Sequence, residues 1–311
     1  MSTPQTKSSQ FSTYRYSAPP KPPKKRRNIH WSLVWLVLIL AIGIGAYFYH
    51  AKHVKAIKIP LTKIVISVPP KMPSGPSAAA LGTMSSSING VIGANSEIDT
   101  SVSLIDLNTG ATEHYGVNQT FQAASTTKII TAEYFLHEVE AGQQSLSEKV
   151  GGNSAGYELQ QMIVVSDDDA WEDLNEQLGY NNLQAYASSA LGVTDYEAYN
   201  NSLSSGDIAL ALQKLWNGSL LNASDTQLLL SYLKQANYRE YIVPAVPAQD
   251  TIYHKIGLYQ DYVNDAAIIT NGNKAFVIVI FTNGNGEYNW PARAIMMQTI
   301  TKAALKAYFN Q

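Results

Sequence analysis

The chain has 311 residues and no cysteine, which excludes disulfides, thiolate metal sites and a lipid-modified cysteine anchor. Its formal net charge of −2 hides an asymmetry: residues 1–96 carry twelve Lys/Arg and no acid, whereas residues 97–311 carry ten Lys/Arg and all 24 Asp/Glu. The second part therefore has a formal charge of −14. We expect no nucleic acid partner for it, because phosphate binding needs a positive surface.

The first segments in chain order are a tail and an apolar stretch. Residues 1–30 are rich in Ser, Pro and basic residues and are predicted to be a disordered cytoplasmic tail. Residues 31–49 contain no charge, have Trp or Tyr near both ends, and match the ~30 Å of a bilayer core at ~1.5 Å per residue. A cleaved signal peptide is the alternative, but its apolar stretch is usually shorter and a small-residue cleavage site would follow.

We therefore predict a single-pass protein of the cell membrane, with the lipid bilayer as the partner of residues 31–49. The basic residues before the span favour a cytoplasmic N-terminus and an extracytoplasmic domain. Residues 50–96 contain a Pro-rich break followed by small residues, and are predicted to be an extracytoplasmic stalk or linker. A globular domain is predicted over residues 97–311.

The domain is predicted to be α+β. Residues 100–107 are typical of a strand, and the Asn-Thr-Gly turn that follows leads into a second, shorter one. Residues 125–140 have the apolar spacing of a helix. Five further helices are predicted at 157–165, 168–178, 183–190, 206–215 and 224–236. Three strands follow at 251–257, 266–270 and 274–282, and a last helix is predicted at 291–308. Strands at both ends predict one antiparallel sheet that joins N- and C-terminal strands and is flanked by helices.

Ser125 and Lys128 form the first candidate pair for chemistry, in the sequence AASTTKII. Residues i and i+3 share a helix face, so the amine can reach the hydroxyl. A lysine buried in an apolar wall can lose its proton and serve as a general base for a serine nucleophile, whose own N–H at a helix start can hold an oxyanion. The alternative is a capping serine and a lysine that extends to solvent.

Two further segments add candidate residues. Ser166, in Ser-Asp-Asp after an apolar run, can relay a proton to a leaving group, although Ser and Asp there also suit a helix cap. Lys255, in His-Lys-Ile-Gly on a predicted strand, can hold a substrate carboxylate, and Gly257 lets substrate lie against the strand. An ordinary solvent-facing lysine is the alternative there. The six histidines lack zinc spacing, and we predict neither a metal site nor a cofactor.

In this order the three motifs resemble those of the penicillin-recognising serine enzymes, specifically the class A β-lactamases. The resemblance covers roughly residues 97–311 and implies the β-lactamase/transpeptidase fold. It also implies that Ser125 is acylated, Lys128 is a base, Ser166 relays protons and Lys255 supplies positive charge. The oxyanion hole would be formed by the backbone N–H groups of Ser125 and Leu258.

The implied reaction is hydrolysis of a β-lactam amide or a related cell-wall peptide bond, with a β-lactam or a peptidoglycan stem peptide as substrate. A D-Ala-D-Ala carboxypeptidase-like enzyme trapped by penicillin is one alternative. A non-catalytic peptidoglycan-binding module that retains the fold is another.

The chain departs from the family pattern at three places. Asp168 stands where the family has Asn, which replaces a neutral substrate contact by a possible negative charge. Ile256 stands where Thr or Ser would hydrogen-bond a penicillin carboxylate. The family's deacylating Glu, followed shortly by Asn, has only one candidate here, Glu197 with Asn200. A plain surface acid is the alternative for Glu197, and without that base an acyl-enzyme would hydrolyse slowly.

Overall fold

A computed structural model describes residues 75–311 of the chain. The predicted tail, the predicted membrane span and most of the predicted stalk lie outside the described residues. Within residues 75–311, none of the helices combines the length and the apolar character that crossing a membrane requires.

The sheet has five antiparallel strands: β1 Asp99–Asp106, β2 Thr112–Gly116, β7 Thr251–Tyr259, β8 Tyr262–Asn271 and β9 Lys274–Asn283. They lie in the order β2-β1-β9-β8-β7. The first two in the chain form an N-terminal hairpin and the last three a C-terminal meander, so the predicted α+β architecture, with one sheet that joins N- and C-terminal strands, is confirmed. Two short pairs complete the strands: β3 Phe121–Gln122 with β6 Ser202–Leu203, and β4 Lys149–Val150 with β5 Asn153–Ser154.

Both faces of the sheet are covered, which explains why β9 is an almost continuous apolar run. Because side chains alternate along a strand, Val277 and Val279 point into one core while Ile278 and Ile280 point into the other. The first core lies under the central helices, and the second lies under the first and last helices.

Six α-helices and a one-turn 3₁₀ helix between the hairpin and the meander form the helical layer. They are a one-turn 3₁₀ helix Ala124–Thr127, α2 Lys128–Glu140, α3 Ala155–Val164, α4 Asp168–Leu178, α5 Tyr180–Tyr186 with a π turn Ala187–Leu191, α6 Ser205–Trp216 and α7 Ala223–Gln235. A second 3₁₀ turn, Val243–Ala245, precedes β7, and α8 Trp290–Phe309 ends the chain. The predicted helix 125–140 thus begins as a 3₁₀ turn, and the prediction for 168–178 matches α4.

The folded domain begins earlier than the predicted boundary at residue 97. Residues 78–94, which were predicted to belong to the stalk, form α1 Ala78–Ala94, capped by Ser77, whose hydroxyl accepts from Ala80 N at 3.2 Å. Met84 and Ile88 of this helix are buried in the same core as the apolar face of α8. The many Ala, Gly and Ser residues of α1 give it little apolar contrast, which is why periodicity did not reveal it.

Candidate active site

Ser125 lies in the 3₁₀ turn between β3 and α2 and is partly exposed. Neighbouring segments hold this turn in place: Ala123 N donates to Asn201 O at 2.9 Å, and Asn201 Nδ2 donates to Ala124 O at 3.1 Å. Ala124 has a φ of 51°, a left-handed conformation that side chains with a Cβ rarely adopt. Strain of this kind persists only where surrounding contacts fix the backbone, as these hydrogen bonds do here.

Lys128 has its side chain fully buried beneath this turn. Its Nζ donates to Asp168 Oδ1 at 2.5 Å and to the carbonyl of Ser166 at 2.8 Å, and lies 5.6 Å from the ring centroid of Trp171. Among the described residues, no hydrogen bond joins Lys128 Nζ to the hydroxyl of Ser125. Burial lowers the pKa of Lys128, whereas the carboxylate of Asp168 opposes that shift. The side chain of Asp168 is itself 82% exposed, so its charge remains hydrated.

Lys255 lies on β7, on the sheet side of the site, and is 2% exposed. Its Nζ donates to the hydroxyl of Ser166 at 2.7 Å and to the carbonyl of Ile256 at 3.3 Å. Burial, reinforced by the charge of Lys128, lowers the pKa of Lys255 to about 7. Ser166 has a φ of 64° between α3 and α4, and Asp167, rather than Ser166, caps α4 by accepting from Ala170 N at 3.0 Å.

Two cavities meet at Ser125. The smaller, about 220 Å³, is lined by Ser125, Ser166, Asp168, Tyr238, Ile256 and Leu258. The larger, about 450 Å³, extends past Asp168 to Trp171, Tyr199 and Tyr259. The structure therefore brings the predicted residues of the three motifs to one cleft, although they come from a 3₁₀ turn, a loop and an edge strand.

Gly257 lies where β7 passes against the turn that carries Ser125. A Cβ at this position would lie 2.5 Å from Ala123 O and 3.0 Å from Ser125 N, closer than such atoms approach in proteins. The backbone of β7 is therefore adjacent to the N–H of Ser125, as the predicted oxyanion hole of Ser125 and Leu258 requires. Leu258 lines both cavities, which places the next residue of the strand at the cleft.

Glu197 is not placed at the cleft as the predicted deacylation role requires. Its side chain is exposed, its carboxylate accepts from Asn200 Nδ2 at 2.8 Å, and it lines neither described cavity at Ser125. The physical reason is its backbone pairing: Glu197 N donates to Ser202 O at 2.8 Å, which fixes a tight turn. The buried neighbour Ala198 lines the cavity instead.

Three residues at the site were not predicted from the sequence. Trp171 is placed by its indole N–H, which donates to Thr131 Oγ1 at 3.0 Å. Tyr238 reaches the smaller cavity because Asn237 N donates to Val164 O at 2.8 Å and because Tyr238 itself has a φ of 60°. The third is Asn201, which holds the turn of Ser125. One signal in the sequence could have located Trp171: it follows Asp168 by three residues on a predicted helix, so the two side chains share a helix face.

Comparison with known proteins identifies the family of the chain. The model of the β-lactamase enzyme family matches residues 83–308, and the chain belongs to that family. Fold and family make it a serine hydrolase of the β-lactamase/transpeptidase superfamily, which confirms the resemblance to the penicillin-recognising serine enzymes. No curated protein matches the chain.

Several solved structures share the fold. One of PBP-A has 20% identity and a TM-score of 0.67, over 76% of this chain and 98% of that chain. A PBP-A point mutant in an acyl-enzyme complex with penicillin G has 20% identity and a TM-score of 0.67, over 73% and 96%. An ancestral class A β-lactamase has 19% identity and a TM-score of 0.67, over 72% and 100%. At these identities the similarity establishes the fold alone.

Gly257→Ala is expected to reduce acylation of Ser125 by about 100-fold, because the added methyl displaces the turn and a shift of about 1 Å in a reacting group has an effect of that size. The rate of labelling by a fluorescent penicillin measures this. Gly90→Ala is the matched control, since a Cβ there meets nothing within 4 Å. Equal labelling rates for the two variants would contradict the assigned close approach.

Proposed function

We propose that the chain is an acyl-enzyme-forming serine hydrolase in which Ser125 attacks the amide of a β-lactam or of a peptidoglycan stem peptide. The observation that carries this proposal is that the partly exposed Ser125 lines the same cavity as Ser166, whose hydroxyl accepts from Lys255 Nζ at 2.7 Å. A nucleophile, a hydroxyl able to pass protons and a buried amine are the groups that acyl transfer needs.

The chemistry follows from the arrangement. Ser125 passes its proton to a buried amine of the site as its oxygen bonds to the carbonyl carbon, and the developing oxyanion is held by the N–H groups of Ser125 and Leu258. Ser166, which lines the same cavity as Ser125, returns a proton to the leaving nitrogen. The acyl-enzyme is then hydrolysed by water.

The second half of the reaction has less support from the site. Asp168 is engaged by Lys128, and Glu197 is exposed on its turn. Glu197, the one carboxylate predicted to activate water, therefore lies outside both cavities at Ser125. We infer slow deacylation, which corresponds to a D-Ala-D-Ala peptidase-like enzyme that accumulates a penicillin adduct rather than to a rapid β-lactamase.

Intact mass spectrometry of the protein incubated with benzylpenicillin tests the proposal. We expect a stable adduct of one penicillin that is absent from Ser125→Ala and present in Ser189→Ala, an exposed serine far along the chain. Penicillin consumption without an accumulating adduct would identify a β-lactamase instead. Absence of both adduct and consumption, together with no cleavage of a D-Ala-D-Ala peptide, would favour the non-catalytic binding module.

Ile256→Thr is expected to accelerate acylation by benzylpenicillin about tenfold, since one hydrogen bond to a charged group contributes roughly 1.5 kcal/mol. Ile256 lines the smaller cavity, so a hydroxyl there can meet a substrate carboxylate. Ile256→Val is the matched control, because it keeps the branched shape without the hydroxyl. A rate for Ile256→Thr no higher than that of Ile256→Val would contradict this account of the position.

We also propose that the domain is attached to the cell membrane through residues 31–49, with the N-terminus cytoplasmic. This proposal rests on the sequence of that uncharged stretch and its aromatic ends. Alkaline carbonate extraction of membranes should leave the full chain in the pellet, whereas a chain lacking residues 1–49 should be extracted. Release of the full chain into the supernatant would contradict membrane insertion.

A further inference from the structure

The three groups around the Lys128 amine all favour its charged form. A carboxylate oxygen of Asp168 lies at 2.5 Å, the carbonyl of Ser166 at 2.8 Å, and the face of the Trp171 indole at 5.6 Å to its centroid. An ammonium attracts each of them, whereas a neutral amine would leave a buried nitrogen facing a carboxylate without a charge to balance it. In the family pattern an asparagine stands at Asp168, so this counter-charge is a property of this chain.

The indole that covers Lys128 is itself fixed. Trp171 Nε1 donates to Thr131 Oγ1 at 3.0 Å, and Thr131 Oγ1 donates to Asn175 Oδ1 at 2.9 Å. Thr131 and Asn175 are fully buried, so the ring cannot easily turn away from the amine. The packing of α2 against α4 therefore fixes the position of the indole that favours the charged form of Lys128.

Lys255 has a different environment. Its amine contacts a hydroxyl and a carbonyl, those of Ser166 and Ile256, and makes no salt bridge in the part of the chain that the structure describes. It is 2% exposed, and the ammonium of Lys128 on α2 repels its charge. A buried amine with a cationic neighbour and no carboxylate contact is the one that gives up its proton first.

The acids that act on Lys255 lie at longer range. Asp168 on α4 is paired with Lys128, and Asp265 on β8 is engaged by Ile242 N at 3.0 Å and by Nδ1 of His254, the neighbour of Lys255 on β7, at 3.4 Å. Both attract a proton toward Lys255, but burial and the repulsion by Lys128 outweigh them, and the pKa of Lys255 falls to about 7.

We propose that Lys255, acting through the hydroxyl of Ser166, accepts the proton of Ser125, and that Lys128 remains an ammonium held by Asp168. This inference rests on the acyl-enzyme function proposed above. It exchanges the roles that the family resemblance implied for the two lysines.

The oxygen of Ser125 bonds to the carbonyl carbon, its proton passes to Ser166 Oγ, and the proton of Ser166 passes to the lone pair of the neutral Lys255 amine. The carbonyl π electrons move to the oxygen and form the oxyanion. As the oxyanion collapses and the C–N bond breaks, Lys255 returns its proton through Ser166 to the leaving nitrogen. Lys128 keeps its proton throughout and contributes positive charge beside the nucleophile.

Replacing each lysine in turn by arginine separates the two assignments, because arginine keeps the charge and cannot act as a base near neutral pH. We expect Lys255→Arg to slow acylation by benzylpenicillin more than 100-fold, and Lys128→Arg to slow it by no more than about tenfold, given that general base catalysis contributes ~10²–10⁴-fold. In wild type the acylation rate should rise with pH through about 7 and then level off, because Lys255 must be neutral. The same midpoint should persist in Lys128→Arg.

Nuclear magnetic resonance of ¹³Cε-labelled lysines gives a readout that does not depend on activity or on tolerance of the arginines. In the wild-type protein, the signal of Lys255 should titrate near pH 7, and that of Lys128 should titrate at a higher pH than that of Lys255. In Asp168→Asn the titration of Lys128 should move to lower pH, because the opposing carboxylate is gone.

Two results would overturn the inference: loss of acylation in Lys128→Arg as severe as in Lys255→Arg, with both variants folded, or deprotonation of Lys128 before Lys255 in the wild-type spectra. A wild-type protein that penicillin and D-Ala-D-Ala peptides fail to acylate would instead contradict the proposed function. The spectra would still decide the order in which the two lysines lose their protons.

Discussion

The hydrogen bond between Lys255 and Ser166 joins the edge of the sheet to the helical layer across 89 residues of sequence, and the geometry of the cleft depends on it. It fixes the loop between α3 and α4, where Ser166 has a left-handed backbone that few contacts would otherwise maintain. The carbonyl of the same residue accepts from Lys128. Ser166 is therefore the point at which both buried amines are anchored, one through its hydroxyl and one through its backbone.

Burying two lysines a short distance apart destabilises the fold, because each amine loses its hydration and each repels the other. The chain limits this effect in two ways. Asp168 neutralises Lys128 while keeping its own side chain largely in water, and the low pKa of Lys255 removes part of the repulsion at neutral pH. Two buried amines that both contact Ser166, at a cavity that Ser166 shares with the partly exposed Ser125, are typical of a functional site.

Much of the architecture could be predicted from local sequence, and the exceptions have physical causes. The run at 274–282 and the amphipathic pattern at 168–178 are strong enough to specify β9 and α4 nearly to the residue. Helix α1 was missed because its buried positions, Met84 and Ile88, stand among small residues that give no contrast. The motif spacing located Ser125, Lys128 and Lys255, since those residue types are rarely combined by chance.

The contacts at the site could not be predicted in the same way. Asp168 and Lys128 are 40 residues apart, and their 2.5 Å contact depends on how α4 packs against α2. The direction of Glu197 depends on its backbone pairing with Ser202, which no composition signal encodes. Sequence patterns identified the groups that carry chemistry, and tertiary packing determined which of them face each other.

The close passage of β7 against the turn of Ser125 also has a consequence for the outer edge of the sheet. β7 is an outer strand, and an outer strand exposes N–H and C=O groups with which an extended chain can pair. The turn packs over one face of β7 at Gly257, where an added Cβ would lie 2.5 Å from Ala123 O. An extended segment that pairs with this edge would therefore lie beside the nucleophile, and a larger residue at Gly257 would disturb that approach.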